Sequence, residues 1–340
     1  MTPDPDDPFE AEGVLNPAAG HTPDGRLHLL PRVVGAGNVS RVGLAEVVVE
    51  DGVPVGVTRH GIVLQPDRPW EHGARHGGVE DPRVTYIERL GVHLMAYVAF
   101  GPLGPRVALA ASRDLVAWER LGPVLFGYES EWDVDFNMYP NKDAVFFPEC
   151  VPGPDGEPCY AMLHRPMWRS NWLGLGDALP PPAGVDDRPN IWISYVRAAA
   201  VEADLSALTV MRSHRCVAGG EFWFERAKIG GGPPPIRVPE GWLLIHHGVD
   251  GKVDASFDPS VPSTAVYRAG ALLLDPNDPA RVLDRTAEPL LEPETVDEVV
   301  GTVANVVFPT AIAAIDGRRF VFYGMADAKI GVAELERTST

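Results

Sequence analysis

The stretch Gly77-Gly78-Val79-Glu80-Asp81-Pro82-Arg83 decides the fold, because the X-Pro step inside it opens a unit that returns along the chain. The steps stand at Asn16-Pro17, Asp81-Pro82, Phe147-Pro148, Pro234-Pro235 and Phe308-Pro309, 65 to 87 residues apart. Each leads into an apolar strand, a Gly/Asp turn and a second apolar strand, and self-similarity at such a period marks a repeat architecture. Five all-β units of that size predict a five-bladed β-propeller around a central channel.

The strand runs are short and bounded by turn residues: 27–33 and 40–45, 83–88, 93–100 and 106–111, 159–165 and 191–196, 242–248 and 267–274, 320–325 and 330–335. Helical periodicity is scarce. Blades of a propeller aim equivalent strand ends at one mouth of the channel, so Arg32, Arg165, His247 and Asp327, each near the end of a second strand, are expected to converge. One stretch breaks the rhythm. Residues 167–190, with Trp168, Trp172 and three consecutive prolines, form an insertion in the third unit, read as a lid, a sugar-stacking loop or a subunit contact.

Bulk composition agrees with one large β domain. The 340 residues are 45% hydrophobic and 22% charged, with 35 Gly and 34 Pro, a load that suits many strands joined by turns. The net charge of −18 repels phosphate backbones and anionic membranes, which argues against a nucleic-acid or membrane partner. Residues 1–12 read as a flexible acidic tail without a secretory signal, and 13–337 as a single propeller. No apolar run is long enough to span a bilayer, and three sparse cysteines without finger spacing suit a reducing compartment; a cytoplasmic protein is expected.

Two groupings carry chemistry. Asp81, before a proline, is expected on extended backbone, aimed as a general acid with Arg83 beside it to tune it. Lys142, Arg165, His247 and the Tyr267 hydroxyl would give one oxyanion a point charge, a bidentate fork and further donors, the makings of a phosphate or carboxylate site in an acidic protein. The His72/His76 pair stands near Glu80, but its glycines disfavour the helix a zinc site of that spacing needs, so no metal is expected. No nucleotide-binding glycine loop is present, and no cofactor is expected.

Together Asn141-Lys142-Asp143, Phe147-Pro148-Glu149, His164-Arg165-Pro166, Gly230-Gly231-Gly232-Pro233, His247-Gly248-Val249, Tyr267-Arg268-Ala269 and Tyr323-Gly324-Met325-Ala326-Asp327 resemble glycoside hydrolase family 130. The likeness runs in order over nearly all of 16–335. It implies a five-bladed propeller of β-mannoside phosphorylases, with some β-1,2-mannosidases, and a homo-oligomer. It implies Asp81 as the catalytic acid, acting through the mannose 3-hydroxyl, and Arg165, His247 and Tyr267 as phosphate ligands. Asn16, Arg32, Ser40 and Asp327, together with Arg83, would contact the mannose. Lys142-Asp143 stands where many phosphorylases have Arg-Asn, and His246 where Tyr is usual.

An inverting hydrolase needs two carboxyl groups, whereas phosphate is already a nucleophile and needs one acid facing a basic pocket. The expected reaction is therefore phosphorolysis of a β-mannoside, with inorganic phosphate as co-substrate, to α-mannose 1-phosphate. The competing readings are an inverting β-mannosidase with Glu149 or Asp143 as base, and a carbohydrate-binding propeller without catalysis.

Overall fold

A computed structural model describes residues 1–73, 77–168, 180–252 and 263–337. Among the described residues four hydrogen-bonded sheets carry the five blades, the eight-stranded one spanning blades 1 and 2. Blade 1 is Gly13–His21, Leu27–Gly35, Val39–Glu50 and Val53–Leu64; blade 2 is Gly77–Ile87, Val92–Gly101, Gly104–Ser112 and Glu119–Pro123. Blade 3 is Asn141–Phe146, Pro158–Pro166, Ile191–Arg197 and Val210–Ala218. Blade 4 is Lys228–Gly231, Gly241–Asp250, Val266–Leu274 and Val282–Arg285; blade 5 is Val307–Ile315, Arg318–Met325 and Lys329–Leu335. The first strand of each blade is its inner strand.

Inner strands are covered on both faces by neighbouring blades, so they are buried along most of their length, charged residues included. In Gly77–Ile87 every residue but Tyr86 is buried. The core accordingly lies between blades. Leu30, Val42, Val79 and Tyr97 pack blade 1 on blade 2; Phe136, Tyr160 and Trp192 fill the blade 2/3 contact; Val145, Leu163 and Trp242 fill the next; and Val14, Leu29, Phe320 and Phe322 close blade 5 on blade 1. Blades 1 and 2 also share a parallel pairing of Val39 and Ser40 with Gly77 and Gly78. Gly78 has φ +134°, and a Cβ there would lie 2.3 Å from the Ser40 carbonyl oxygen, so the glycine is what lets the two backbones meet.

Four inner strands carry a one-residue bulge at the same place. The ladder slips between Leu15 and Ala18, Glu80 and Arg83, Lys142 and Val145, and Pro309 and Ala311. Asn16, Asp81 and Asp143 occupy the bulges with φ of +44°, +46° and +55°. Asn and Asp are the non-glycine residues that best tolerate this left-handed region, which accounts for their presence. The expectation of extended backbone at Asp81 is thus corrected. The repeat register is corrected too: the blade 3 counterpart of Asp81 is Asp143, not Phe147, and blade 4 has no bulge, placing Gly230-Gly231 rather than Pro234 at that level.

A second device recurs at blade entrances. The carboxylates of Glu71, Glu225 and Glu298 each accept two backbone N–H groups of the preceding turn through one oxygen, and the other oxygen bonds Tyr97, His246 or Tyr323 of the second strand at 2.8 Å. His246 is therefore the blade 4 counterpart of two tyrosines. It ties its own blade together and does not face the channel.

The first residues are docked rather than loose. The Met1 ammonium donates to the Ile330 carbonyl at 2.7 Å, and Glu10, buried, pairs with Arg59. Of the insertion, Trp172 lies outside the described residues. Trp168 is buried in the blade 2/3 core, donating to Asn190 and set edge-on to Trp192, which makes it a packing residue and not a sugar platform.

Candidate functional site

The residue just before the bulge in blades 1 to 3, and its equivalents Gly230 in blade 4 and Phe308 in blade 5, face one residue each of the second strand: Leu15 faces Arg32, Glu80 faces Val98, Lys142 faces Arg165, Gly230 faces His247 and Phe308 faces Gly324. These five second-strand positions form a ring around the channel. Asp327, expected in the ring, belongs instead to the turn beyond the second strand of blade 5, with Ala326 and Asp327 at φ +47° and +49°.

One side of the channel is built on Asp81. Asn16 Nδ2 donates to Asp81 Oδ1 at 2.9 Å and Arg32 Nη1 to the same oxygen at 3.0 Å, while Lys142 Nζ stands 3.7 Å from Oδ2. Glu80, the preceding residue, takes Arg32 Nη2 at 2.9 Å and Lys142 Nζ at 3.3 Å. Burial alone would raise the Asp81 carboxyl, but Arg32, Lys142 and Arg83 outweigh it and hold the group well below the usual carboxylate range. Before ligands arrive, Asp81 is a carboxylate. Asp327 goes the other way: burial, reinforced by Asp81, pushes it up to about 6 against the pull of Arg32.

Opposite stands a cationic group. Arg165 Nε donates to Asp143, itself brought to about 2 because Arg165, with Arg83, outweighs its burial. Lys228 Nζ donates to the Tyr267 hydroxyl at 2.8 Å, and burial beside Arg165 lowers this lysine to about 7. His247 is fully buried, 3.5 Å from Asp143, with its pKa driven well below the ordinary 6.5 by burial; it is neutral, with neither ring nitrogen bonded. Arg32, Arg83, Lys142, Arg165 and Lys228 face Glu80, Asp81, Asp143 and Asp327, the last only partly ionised near pH 6. The pocket is locally positive inside a protein of net charge −18.

Several predicted residues take other places. Ser40 is buried and accepts Arg32 Nε at 2.8 Å, so it orients that guanidinium. Arg83 lies beneath the floor, 1% exposed, donating to the carbonyls of Asp81, Pro82 and, across the channel, Gly232 at 3.0 Å. It is placed to hold the Asp81 bulge and not to touch a sugar. Glu149 is exposed and follows Pro148, which lines a cavity of about 580 Å³ with Gly20, His21 and Tyr86 at the far ends of the inner strands, so it cannot serve as base near Asp81. The sequence reading missed Glu80, although it adjoins Asp81, and Lys228, whose only signal was a lone cation opening an inner strand.

Residues 7–339 match the profile of glycoside hydrolase family 130, described as β-1,4-mannooligosaccharide phosphorylase. The chain belongs to glycoside hydrolase family 130. It is 32% identical over 351 residues to a 1,2-β-oligomannan phosphorylase of a Thermoanaerobacter species, spanning 99% of this chain and 94% of the relative. A β-1,2-mannobiose phosphorylase of the same source is 32% identical over 304 residues, spanning 88% and 78%. The solved β-1,2-mannobiose phosphorylase of Listeria innocua, in complex with β-1,2-mannobiose, superposes with a TM-score of 0.69 at 22% identity, covering 96% of this chain and 90% of its own. That likeness shows the propeller fold. Within this family 130 chain, the substitution of His for Tyr at 246 falls in the blade 4 framework, and only Lys142-Asp143 bears on the channel.

Proposed function

We propose that this protein is an inverting β-mannoside phosphorylase, with β-1,2-linked manno-oligosaccharides as its substrate class. The observation that carries the reading is the Asp81 carboxylate facing a cluster of Arg165, Lys228, Lys142 and Tyr267, with Glu80 and Asp143 ion-paired beside it and Asp327 at the mannose end. The names of two relatives matched over most of this chain support the β-1,2 linkage.

In the proposed reaction, phosphate held by Arg165, Lys228 and Tyr267 attacks the mannose C1. The C1–O bond to the leaving sugar breaks, a C1–O bond to phosphate forms with inversion, and the leaving oxygen takes a proton relayed from Asp81. Arg32, Lys142 and Arg83 keep Asp81 an anion, so its proton must be acquired as substrate and phosphate bind. A phosphate dianion adds negative charge and draws Lys142 toward itself, and both effects raise the Asp81 pKa. Asn16, Arg32 and Asp327 line the mannose end, where a partly protonated Asp327 can both donate to and accept from sugar hydroxyls.

Family 130 also contains hydrolases that target β-1,2 mannosidic linkages. Hydrolysis would need a second free carboxylate; Asp143 is neutralised by Arg165, which leaves Asp327 alone for that part. We place the enzyme in the cytoplasm, where inorganic phosphate is at hand, and expect a homo-oligomer. Among the described residues no helix is long and apolar enough to cross a membrane.

The deciding experiment incubates the protein with β-1,2-mannobiose and longer β-1,2-oligomers, with β-1,4-mannobiose alongside, in the presence and absence of phosphate. Mannose 1-phosphate formed only with phosphate is expected. Free mannose released equally in both arms overturns the reading.

A further inference from the structure

We propose that His28, Glu46 and His60 form a divalent transition-metal site on blade 1, with Zn²⁺ the best fit. Each comes from a different strand: His28 from Leu27–Gly35, Glu46 from Val39–Glu50 and His60 from Val53–Leu64. His28 and Glu46 are direct cross-strand partners, and the register slip between Leu44 and Ala45 in the next ladder brings His60 beside them. One ligand atom from each lies within 4.8 Å of the others, and Glu46 Oε2 to His60 Nε2 is 3.5 Å. That spacing is close to what two ligands of one tetrahedral zinc require.

The buried member is already oriented. His28 Nδ1 lies 3.2 Å from the Arg26 carbonyl, to which it donates, leaving the Nε2 lone pair for a metal. Two imidazoles and a carboxylate suit Zn²⁺, and the exposure of His60 leaves the fourth position to water. Arg26 donates to Glu46 Oε2 at 2.7 Å and to Asp24 at 2.8 Å. It balances the carboxylate and would swing to Asp24 when a dication binds. The site lies four residues from Arg32 along the strand, about 13 Å, so it clips three strands of the blade and stands apart from the channel.

The test titrates the full chain, stripped with chelator, with Co²⁺ followed by visible absorption and with Zn²⁺ followed by calorimetry. One saturable site per chain is expected, with the bands of four-coordinate Co²⁺ and no thiolate charge transfer. His60→Ala, at an exposed position, and Glu46→Gln each weaken binding by at least about tenfold while far-UV circular dichroism is unchanged. Absence of saturable binding, affinity unchanged in both variants, or a thiolate-to-cobalt band pointing to Cys150 or Cys216 overturns the proposal.

Discussion

Asn16 donates its amide N–H to Asp81 Oδ1 at 2.9 Å across 65 residues of sequence, and both residues sit on left-handed bulges of adjacent inner strands. The bond is a consequence of the repeat. Each bulge turns one side chain out of the alternating pattern into the channel, and two neighbouring blades making the same turn bring the side chains together. The bulge thereby spends an unfavourable φ on aim, and Arg83 holds the Asp81 and Pro82 carbonyls in that shape from below.

If Asp81 supplies the proton, Asp81→Asn lowers kcat by about 10²- to 10⁴-fold. Asparagine tolerates the same φ, so the fold and the affinity for β-1,2-mannobiose should be kept, while loss of the carboxylate paired with Arg32 and Lys142 should lower the melting temperature. Single-turnover rates and calorimetry measure both. Retention of more than about a tenth of kcat would remove Asp81 from the acid role.

Gly324 carries a sharper geometric test. A Cβ there would lie 2.0 Å from Asn16 Oδ1, so Gly324→Ala must push the Asn16 amide off Asp81. Losing one hydrogen bond to a charged group is worth about 1.5–3 kcal/mol, a fall of roughly 10- to 150-fold in kcat/KM. The Asn16→Ala variant should show the same loss, and combining the two should add little, because both remove one contact.

How far these relationships were legible in the sequence depends on the residue. The blade count followed from the spacing of apolar strands and turns, which are local signals. The register did not, because proline marks two levels of the channel: Pro17 and Pro82 at the bulges, Pro148 and Pro234 at the far mouth. Asp143 fills the bulge of blade 3 without a following proline, so no local pattern aligned it with Asp81. Lys228 and Glu80 gained meaning only from partners on other blades. His246 looked like a departure in the channel because its neighbour His247 is there, and strand alternation sends the two side chains to opposite faces.

If Lys228 holds phosphate as proposed, its burial makes phosphate use pH-dependent. With its pKa lowered from 10.5 to about 7, the lysine is charged below pH 7 and loses its charge above it. The KM for phosphate should therefore rise between pH 6 and pH 8.5, although phosphate itself gains charge over that range. Lys228→Arg, which stays charged, should flatten the rise. A KM that falls with pH in the parent, or a rise that persists in the variant, would dissociate Lys228 from phosphate.

The Glu225–His246 pair predicts acid sensitivity without any loss of catalysis. Burial raises the Glu225 carboxyl, but the hydrogen bond from His246 and the turn N–H groups outweigh it and bring the group to about 2 from 4.5. A carboxylate depressed in the fold contributes stability above its unfolded pKa, and that contribution is lost as pH falls from about 4.5 toward 2. His246, lowered below 6.5 chiefly by burial, acts in the same direction, because the unfolded chain takes up its proton first as pH drops below 6.5. Glu225→Gln cannot accept from His246, two backbone N–H groups and Arg285 at once, so it should destabilise the chain by about 1–3 kcal/mol at pH 7. The gap to the parent should narrow as pH falls through 4.5, since protonation removes the parent's advantage. Denaturant midpoints at pH 7, 5 and 4 measure it, and kcat at pH 7 should be unchanged, because the pair sits at the blade 4 entrance and the reacting atoms lie on the other face of the strand.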